Sequence, residues 1–132
     1  MRKPVWIEER DVLTLHDRLI ALHGGPAGLR DHALLKSARA RPQQHFTYSD
    51  SADIIGLAGI YTAGIVSNHP FVDGNKRTGF VVGILFLELN GYRFTASEED
   101  AARAVLALAG GDLDAPGYGA FLRANVTRPK KP

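Results

Sequence analysis

The chain has 132 residues, 45% hydrophobic and 23% charged, which is typical of one globular domain able to bury a single core. The absence of cysteine excludes disulfides and thiolate metal sites, and a net charge of +2 is too small to indicate nucleic-acid binding. The longest apolar run, residues 80 to 87, is too short to span a membrane, and no signal-length apolar stretch follows the first cations. These features favour a cytoplasmic protein.

Two helices are predicted first in chain order. Residues 7 to 23 carry apolar side chains at amphipathic spacing: Val12, Leu15, Leu19 and Leu22. A Gly-Gly-Pro sequence ends this helix. A second helix is predicted over residues 31 to 41, because Pro42 disfavours helical geometry in the residue before it. Residues 42 to 49 are then predicted to form a loop or a short extended segment.

A third helix is predicted from a cap at Asp50 or Ser51 to about residue 68. It carries no formal charge after Asp53, and its three glycines permit close approach by neighbouring elements, so it is predicted to be the buried central helix. Residues 75 to 89 are ambiguous, since their apolar centre fits a buried strand as well as a helix. Their length and the Asn-Gly sequence that follows favour a helix.

Shorter elements complete the chain. Residues 92 to 94 are predicted to form an extended link, followed by a helix over residues 97 to 109 with a capping-box-like start and a last helix over residues 118 to 125. The pattern indicates an all-α single domain of about six helices. The domain is assigned to residues 1 to 126 and a disordered basic tail to residues 127 to 132.

The most informative segment is His-Pro-Phe-Val-Asp-Gly-Asn-Lys-Arg-Thr-Gly, residues 69 to 79, which lies between the two most apolar stretches. His69 can accept a proton from an alcohol at neutral pH. Asp73 is a carboxylate suited to Mg²⁺, which needs only one or two protein carboxylates beside nucleotide phosphates. Phe71 is expected to point inward and anchor the loop.

The same segment also offers a phosphate site. If a helix begins near Asn75, the unpaired amides of its first turn favour an anion, and Gly74 lets that anion approach the backbone. Lys76 and Arg77 add two cations. Together with a proton acceptor, these groups suit the transfer of a phosphate-containing group to a hydroxyl. The alternative is an ordinary polar turn, with Asp73 as a helix cap and solvated cations.

These residues resemble the signature of the Fic/Doc family. The Fic branch has the pattern H-P-F-x-[D/E]-G-N-G-R, and the Doc (death-on-curing toxin) branch has H-x-F-x-[D/N]-A-N-K-R. The Gly-Leu-Arg-Asp sequence at residues 28 to 31 also resembles Doc-type toxins, and the resemblance covers nearly the whole chain. It implies the six-helix Fic/Doc fold, with the active-site loop between two central helices and a helix rather than a strand after Thr78.

The signature is mixed between the two branches. Fic proteins usually transfer AMP from ATP, whereas Doc toxins act as kinases that transfer the γ-phosphate. Pro70 and Gly74 are Fic-like, but Lys76 is Doc-like and is expected to obstruct the anion pocket that a second glycine leaves open. Because position 76 bears directly on nucleotide placement, a Doc-like protein Ser/Thr kinase is favoured. A Fic-type AMP transferase and a non-catalytic toxin–antitoxin binding module remain alternatives.

The resemblance also implies roles for individual residues. His69 is the implied general base, Asp73 the implied Mg²⁺ ligand, and both are assigned to catalysis with Lys76 and Arg77. The ATP phosphates are assigned to the start of the following helix: Gly74, Asn75, Lys76 and Arg77.

Partners follow from the same resemblance. Many Fic proteins carry an inhibitory motif, [S/T]-x-x-x-E-[G/N], and the nearest match, residues 95 to 100, ends in Asp. The resemblance therefore implies an antitoxin supplied in trans, as in type II toxin–antitoxin systems, with operator DNA contacted only through it. It also implies a translation factor as target, expected to be elongation factor Tu, with inhibition of translation and growth. No membrane partner is expected.

Several residues outside the loop are candidates for other roles. His16 and His23 are predicted to be solvated or half-buried rather than ligands. The resemblance suggests a target-positioning flap at residues 45 to 48, with an ordinary loop as the alternative. Core positions are predicted for Trp6, Tyr61 and Phe86.

Overall fold

The computed structural model describes residues 3–129, which form six helices and one small sheet. The helices are α1 (Glu9–His23), α2 (His32–Tyr48), α3 (Ile54–Asn68), α4 (Asn75–Leu89), α5 (Glu98–Ala109) and α6 (Ala115–Ala124). The strands β1 (Arg93–Phe94) and β2 (Val126–Thr127) pair antiparallel, with Arg93 opposite Thr127. The predicted all-α domain of about six helices is confirmed. Within this part of the chain, no helix is long and apolar enough to cross a lipid bilayer.

Helix α3 is the central element, as predicted, and packs against α2, α4, α5 and α6. Most of its residues are buried, and Tyr61 and Leu57 are fully so. Phe86 of α4 contacts Tyr61 with ring centroids 5.0 Å apart, and Trp6 stacks on Phe86 with centroids 5.8 Å apart. The core therefore surrounds α3, one of the two apolar segments that flank the predicted loop.

The contact between α3 and α4 is close because α4 has glycines where the side chains of α3 pack against it. A methyl group at Gly83 would collide with Thr62 Oγ1 and lie 3.2 Å from the Ala58 carbonyl oxygen. Thr62 in turn donates a hydrogen bond of 2.7 Å to the Gly79 carbonyl. This packing requires a helix after Thr78, so the choice of helix over strand is confirmed.

The prediction that Pro42 ends the second helix was wrong, because α2 continues to Tyr48. Proline has no N–H, so the Ala38 carbonyl lacks its usual helical donor. The Pro42 ring is buried against the core, and this burial offsets the missing hydrogen bond. Residues 42 to 48 are therefore helical, and residues 45 to 48 form the last turn of α2 rather than a flap for strand addition.

Three boundaries also differ from the sequence prediction. Asp53 rather than Asp50 or Ser51 caps α3, where it accepts a 2.9 Å hydrogen bond from the Gly56 amide. Asp114 caps α6 and starts it three residues early. Thr127 belongs to β2, so the predicted tail begins inside the sheet, and residues 130 to 132 lie outside the described residues.

Candidate active site

The loop between α3 and α4 begins at His69, whose backbone is in the left-handed conformation with φ 50° and ψ 55°. Among residues 3–129 it is the only residue other than glycine with a positive φ. Such a conformation is sparsely populated for residues with a side chain and is found more often at functional sites. The His69 side chain is exposed, and its hydrogen bonds within the described chain run through its backbone. Its imidazole is therefore available to a ligand.

Arg30 holds the backbone on either side of His69. Its Nε donates to the His69 carbonyl at 2.7 Å, and its Nη2 donates to the Asn68 carbonyl at 2.9 Å. The backbone amides of Arg30 and Asp31 both donate to the Pro70 carbonyl, at 2.7 and 3.0 Å. Three consecutive carbonyls at the end of α3 are thus satisfied by one short segment. The sequence singled out residues 28 to 31 only by resemblance, and no role was predicted for Arg30.

Phe71 anchors the middle of the loop, as predicted, and is 1% exposed. Its backbone forms an isolated antiparallel bridge with Leu29. The Asn75 side chain closes the loop from the other side, since its Oδ1 accepts from the Phe71 amide at 2.9 Å and its Nδ2 donates to the Phe71 carbonyl at 3.0 Å. Both polar atoms of the Asn75 side chain are bonded to the loop backbone. Of Asn75, only the backbone amide therefore remains for the phosphate site that the sequence predicted.

His16 is the residue whose position differs most from its prediction. It is 1% exposed on the buried face of α1, whereas Leu22, which the sequence placed on that face, is 78% exposed. The His16 ring stacks on the Phe71 ring with centroids 3.7 Å apart and an angle of 6° between planes. Its Nε2 lies 2.7 Å from the Asp73 carbonyl oxygen. No local sequence signal indicates this contact, which spans 57 residues of chain.

The first turn of α4 is open to an anion. Asp31, Asp53, Ser97 and Asp114 each cap their helix with a side chain, and Asp11 bonds back to the Glu8 amide at the start of α1. Helix α4 instead begins after Gly74, which has φ 79° and no side chain to cap it. Its first intrahelical bond runs from the Thr78 amide to the Gly74 carbonyl. The amides of Asn75, Lys76 and Arg77 make no backbone hydrogen bond within the described residues, and the side chains of Lys76 and Arg77 beside them are exposed.

Asp73 lies next to this open turn with an exposed carboxylate. One oxygen, Oδ1, accepts a 2.8 Å hydrogen bond from the Gly74 amide, which orients the group. No cluster of three or more His, Cys, Asp or Glu side chains suited to a metal occurs in residues 3–129. A single carboxylate beside this open turn would fit Mg²⁺ held jointly with nucleotide phosphates, rather than a site built from protein ligands alone.

A second concave feature lies at the other end of α3. It is a cleft of about 320 Å³ between the start of α3 and one face of α6, with small side chains along most of its wall. Arg123 and Asp53 form a two-point ion pair there, at 2.7 Å between Nη1 and Oδ2 and 3.1 Å between Nη2 and Oδ1. The hydrogen bond from Arg123 lowers the pKa of Asp53. Both charges are paired with each other, unlike those of the loop between α3 and α4.

Comparison with known proteins gives one family. A model of the Fic/DOC family matches residues 6–87, which include α1 to α3, the loop and most of α4. A protein named "Protein kinase doc" from Escherichia phage P1 is 31% identical over 104 residues, covering 79% of this chain and 82% of that protein. A protein named "Toxin Doc" from Mycolicibacterium smegmatis is 36% identical over 92 residues, covering 69% of this chain and 68% of that protein.

Proposed function

This chain belongs to the Fic/Doc family, and on that premise we propose that it is a Doc-type toxin that acts as a protein kinase. It transfers the γ-phosphate of ATP to a Ser or Thr hydroxyl of a translation factor, with elongation factor Tu as the proposed target, and so inhibits translation and growth. The observation that carries the proposal is the open first turn of α4, where Gly74 exposes the amides and Lys76 and Arg77 lie exposed beside them.

His69 acts as the general base in this proposal. It accepts the proton of the target hydroxyl, whose oxygen forms a bond to the γ-phosphorus as the bond from that phosphorus to the β–γ bridging oxygen breaks and ADP leaves. A base in this position contributes typically about 10²- to 10⁴-fold to the rate. The exposed ring and the backbone restrained by Arg30 support this role, because the base must be accessible and held in place.

The phosphates are bound by the start of α4. The amides of Asn75, Lys76 and Arg77 donate to phosphate oxygens, while the two side chains offset the negative charge that is redistributed during transfer. The free Oδ2 of Asp73 would hold Mg²⁺. Bound Mg²⁺ neutralises phosphate charge, and Asp73 needs no second carboxylate for this purpose.

An antitoxin partner is part of the proposal. One relative is named as a toxin, and a toxin of this kind requires inhibition from a second protein when its own chain supplies none. Residues 95 to 100, the nearest match to an inhibitory motif, form an ordinary helix start in which Ser97 Oγ accepts from the Asp100 amide at 3.1 Å. We propose that the antitoxin binds in trans and that contact with operator DNA occurs only through it.

The proposed reaction is tested with ATP labelled at either the α- or the γ-phosphate and purified translation factors as acceptors. Label transferred to protein only from the γ position is expected, with loss of transfer in His69→Ala. Label transferred only from the α position would contradict the kinase proposal and support an AMP transferase. The Fic-like Pro70 and Gly74 favour that alternative. Transfer from neither position, with growth inhibition kept in His69→Ala, would favour the non-catalytic binding module.

A further inference from the structure

His16 is a buried histidine that makes one hydrogen bond to the catalytic loop. The carbonyl oxygen of Asp73 can only accept a hydrogen bond, so the His16 Nε2 that lies 2.7 Å from it carries the hydrogen. The other ring nitrogen, Nδ1, is 4.0 Å from the Asp17 carboxylate, which is 76% exposed. The ring is 1% exposed and lies flat on Phe71. Its position is therefore fixed by packing, and its one polar contact within 3 Å is directed at the loop.

The bonded carbonyl belongs to the peptide unit between Asp73 and Gly74. A peptide unit is planar, so fixing its oxygen also fixes the direction of its N–H. That N–H, on Gly74, donates to Asp73 Oδ1 at 2.8 Å. One hydrogen bond from His16 thus orients both the Asp73 carboxylate and the entry into α4.

Glycine makes such a restraint necessary. Gly74 has φ 79° and no side chain, so its own backbone preference does not select one orientation of this peptide unit. A methyl group at Gly74 would lie 3.6 Å from His16 Nε2, which shows how closely the ring approaches the turn. Because no side chain caps α4, the direction of its first amides depends on contacts of this kind.

We propose that His16 is a positioning residue that fixes the Asp73–Gly74 peptide unit and thereby sets the affinity of the loop for Mg²⁺-bound ATP. The choice of Mg²⁺-bound ATP as the ligand rests on the proposed function. The effect of His16 on the orientation of the loop does not. It assigns a role to a residue of α1 that contacts no substrate. A histidine that only filled space would affect stability and leave nucleotide affinity unchanged.

Two substitutions separate the hydrogen bond from the packing. His16→Phe keeps a flat ring over Phe71 and loses the donor. His16→Gln keeps an amide donor at nearly the reach of Nε2 and loses the ring. Should H16F fail to fold, His16→Asn replaces it, because its shorter amide does not reach the Asp73 carbonyl. Thermal unfolding of each variant reports the packing contribution separately.

The first measurement is binding of a non-hydrolysable ATP analogue with Mg²⁺ by calorimetry. H16F is expected to bind about 3- to 10-fold more weakly, the effect of losing one hydrogen bond, and H16Q is expected to recover most of the affinity. In the kinase assay the KM for ATP should rise more than kcat falls. Equal affinity in all three proteins, or equal weakening in H16F and H16Q, would overturn the inference.

The second measurement is amide hydrogen exchange of the peptide spanning residues 72 to 77 without nucleotide. Faster exchange is expected in H16F than in the wild type and H16Q. If the wild type binds no Mg²⁺-ATP while this exchange pattern is observed, the proposed function fails and the positioning of the loop stands. Unchanged exchange in H16F would overturn the positioning role itself.

Discussion

At the N-terminal end of α3 a carboxylate and a guanidinium bind each other, whereas at its C-terminal end the charged side chains face solvent. Asp53 accepts from the Gly56 amide and from Arg123, so its charge is satisfied within the protein. The two ends are roughly 20 Å apart along the helix.

At the C-terminal end the protein binds the backbone instead. Arg30 holds the carbonyls at the end of α3, the Asn75 side chain closes the loop, and His16 holds the Asp73 carbonyl. The side chains of His69, Asp73, Lys76 and Arg77 remain exposed. One end of α3 therefore pairs its charged side chains with each other, whereas the other end holds the backbone and leaves its charged side chains exposed.

The largest expected effect is on activity at the loop. His69→Ala should lower the transfer rate by about 10²- to 10⁴-fold, because it removes the proposed general base. Its free energy of unfolding should change little, since the exposed ring makes no side-chain hydrogen bond in the described chain. The matched control is Asp53→Ala, which should lose stability and keep activity per folded molecule. Rates within tenfold of wild type in His69→Ala would contradict the division between the two ends.

The next largest effect is expected at the contact between α3 and α4. Gly83→Ala should destabilise the protein by about 1 to 3 kcal/mol, because its methyl group would collide with Thr62. Gly119→Ala in α6 is the matched control, since a methyl group there meets no atom within 4 Å and should stabilise by up to about 1 kcal/mol through helix propensity. Urea unfolding of both variants measures the difference. Equal effects would show that the α3–α4 contact is less rigid than its geometry implies.

A smaller effect is expected where the backbone of the loop is held. Arg30→Gln removes the fork that binds two carbonyls, and we expect a loss of about 3- to 10-fold in kcat, the effect of about one hydrogen bond. Arg41→Gln is the control, because Arg41 bonds to the Asn68 side chain rather than to the loop backbone. Steady-state kinetics at saturating ATP compares the two. An equal loss of kcat in both variants would mean that the rate depends on positive charge near His69 and not on the backbone restraint by Arg30.

The sequence singled out the exposed side chains of this candidate site, whose catalytic role stays a prediction, and missed the residues that hold the loop in place. His69, Asp73, Lys76 and Arg77 lie within nine residues, so their chemistry is visible in a contiguous segment. The contacts that hold the loop were not predicted because their partners are distant, 57 residues away for His16 and 39 for Arg30.

The fold follows the same rule. The helices with strongly apolar centres were predicted, because the local spacing of apolar residues indicates which segments are buried. The local rule for Pro42 failed, because burial of its ring depends on elements elsewhere in the chain.

The smallest expected effect is the pH dependence of the Asp53–Arg123 pair. Asp53→Asn keeps a helix-capping side chain and removes the charge, so it isolates the ion pair. The pKa of Asp53 is lowered in the folded protein, chiefly by the hydrogen bond from Arg123. Its contribution to stability is therefore fully present above the ordinary carboxyl range and is lost as the pH falls through the lowered pKa. The pair is substantially exposed, so about 0.2 to 1 kcal/mol is expected at pH 7.

Urea unfolding of the wild type and D53N at a series of pH values from 7 to 3 measures this difference, which should shrink towards the acid end. The transfer rate at pH 7 should be the same in both proteins, because the paired charges lie at the end of α3 away from the loop. A D53N protein with unchanged stability and a reduced rate would place the cleft between α3 and α6 within the functional machinery. The distinction between a stabilising end and a reactive end of α3 would then have to be abandoned.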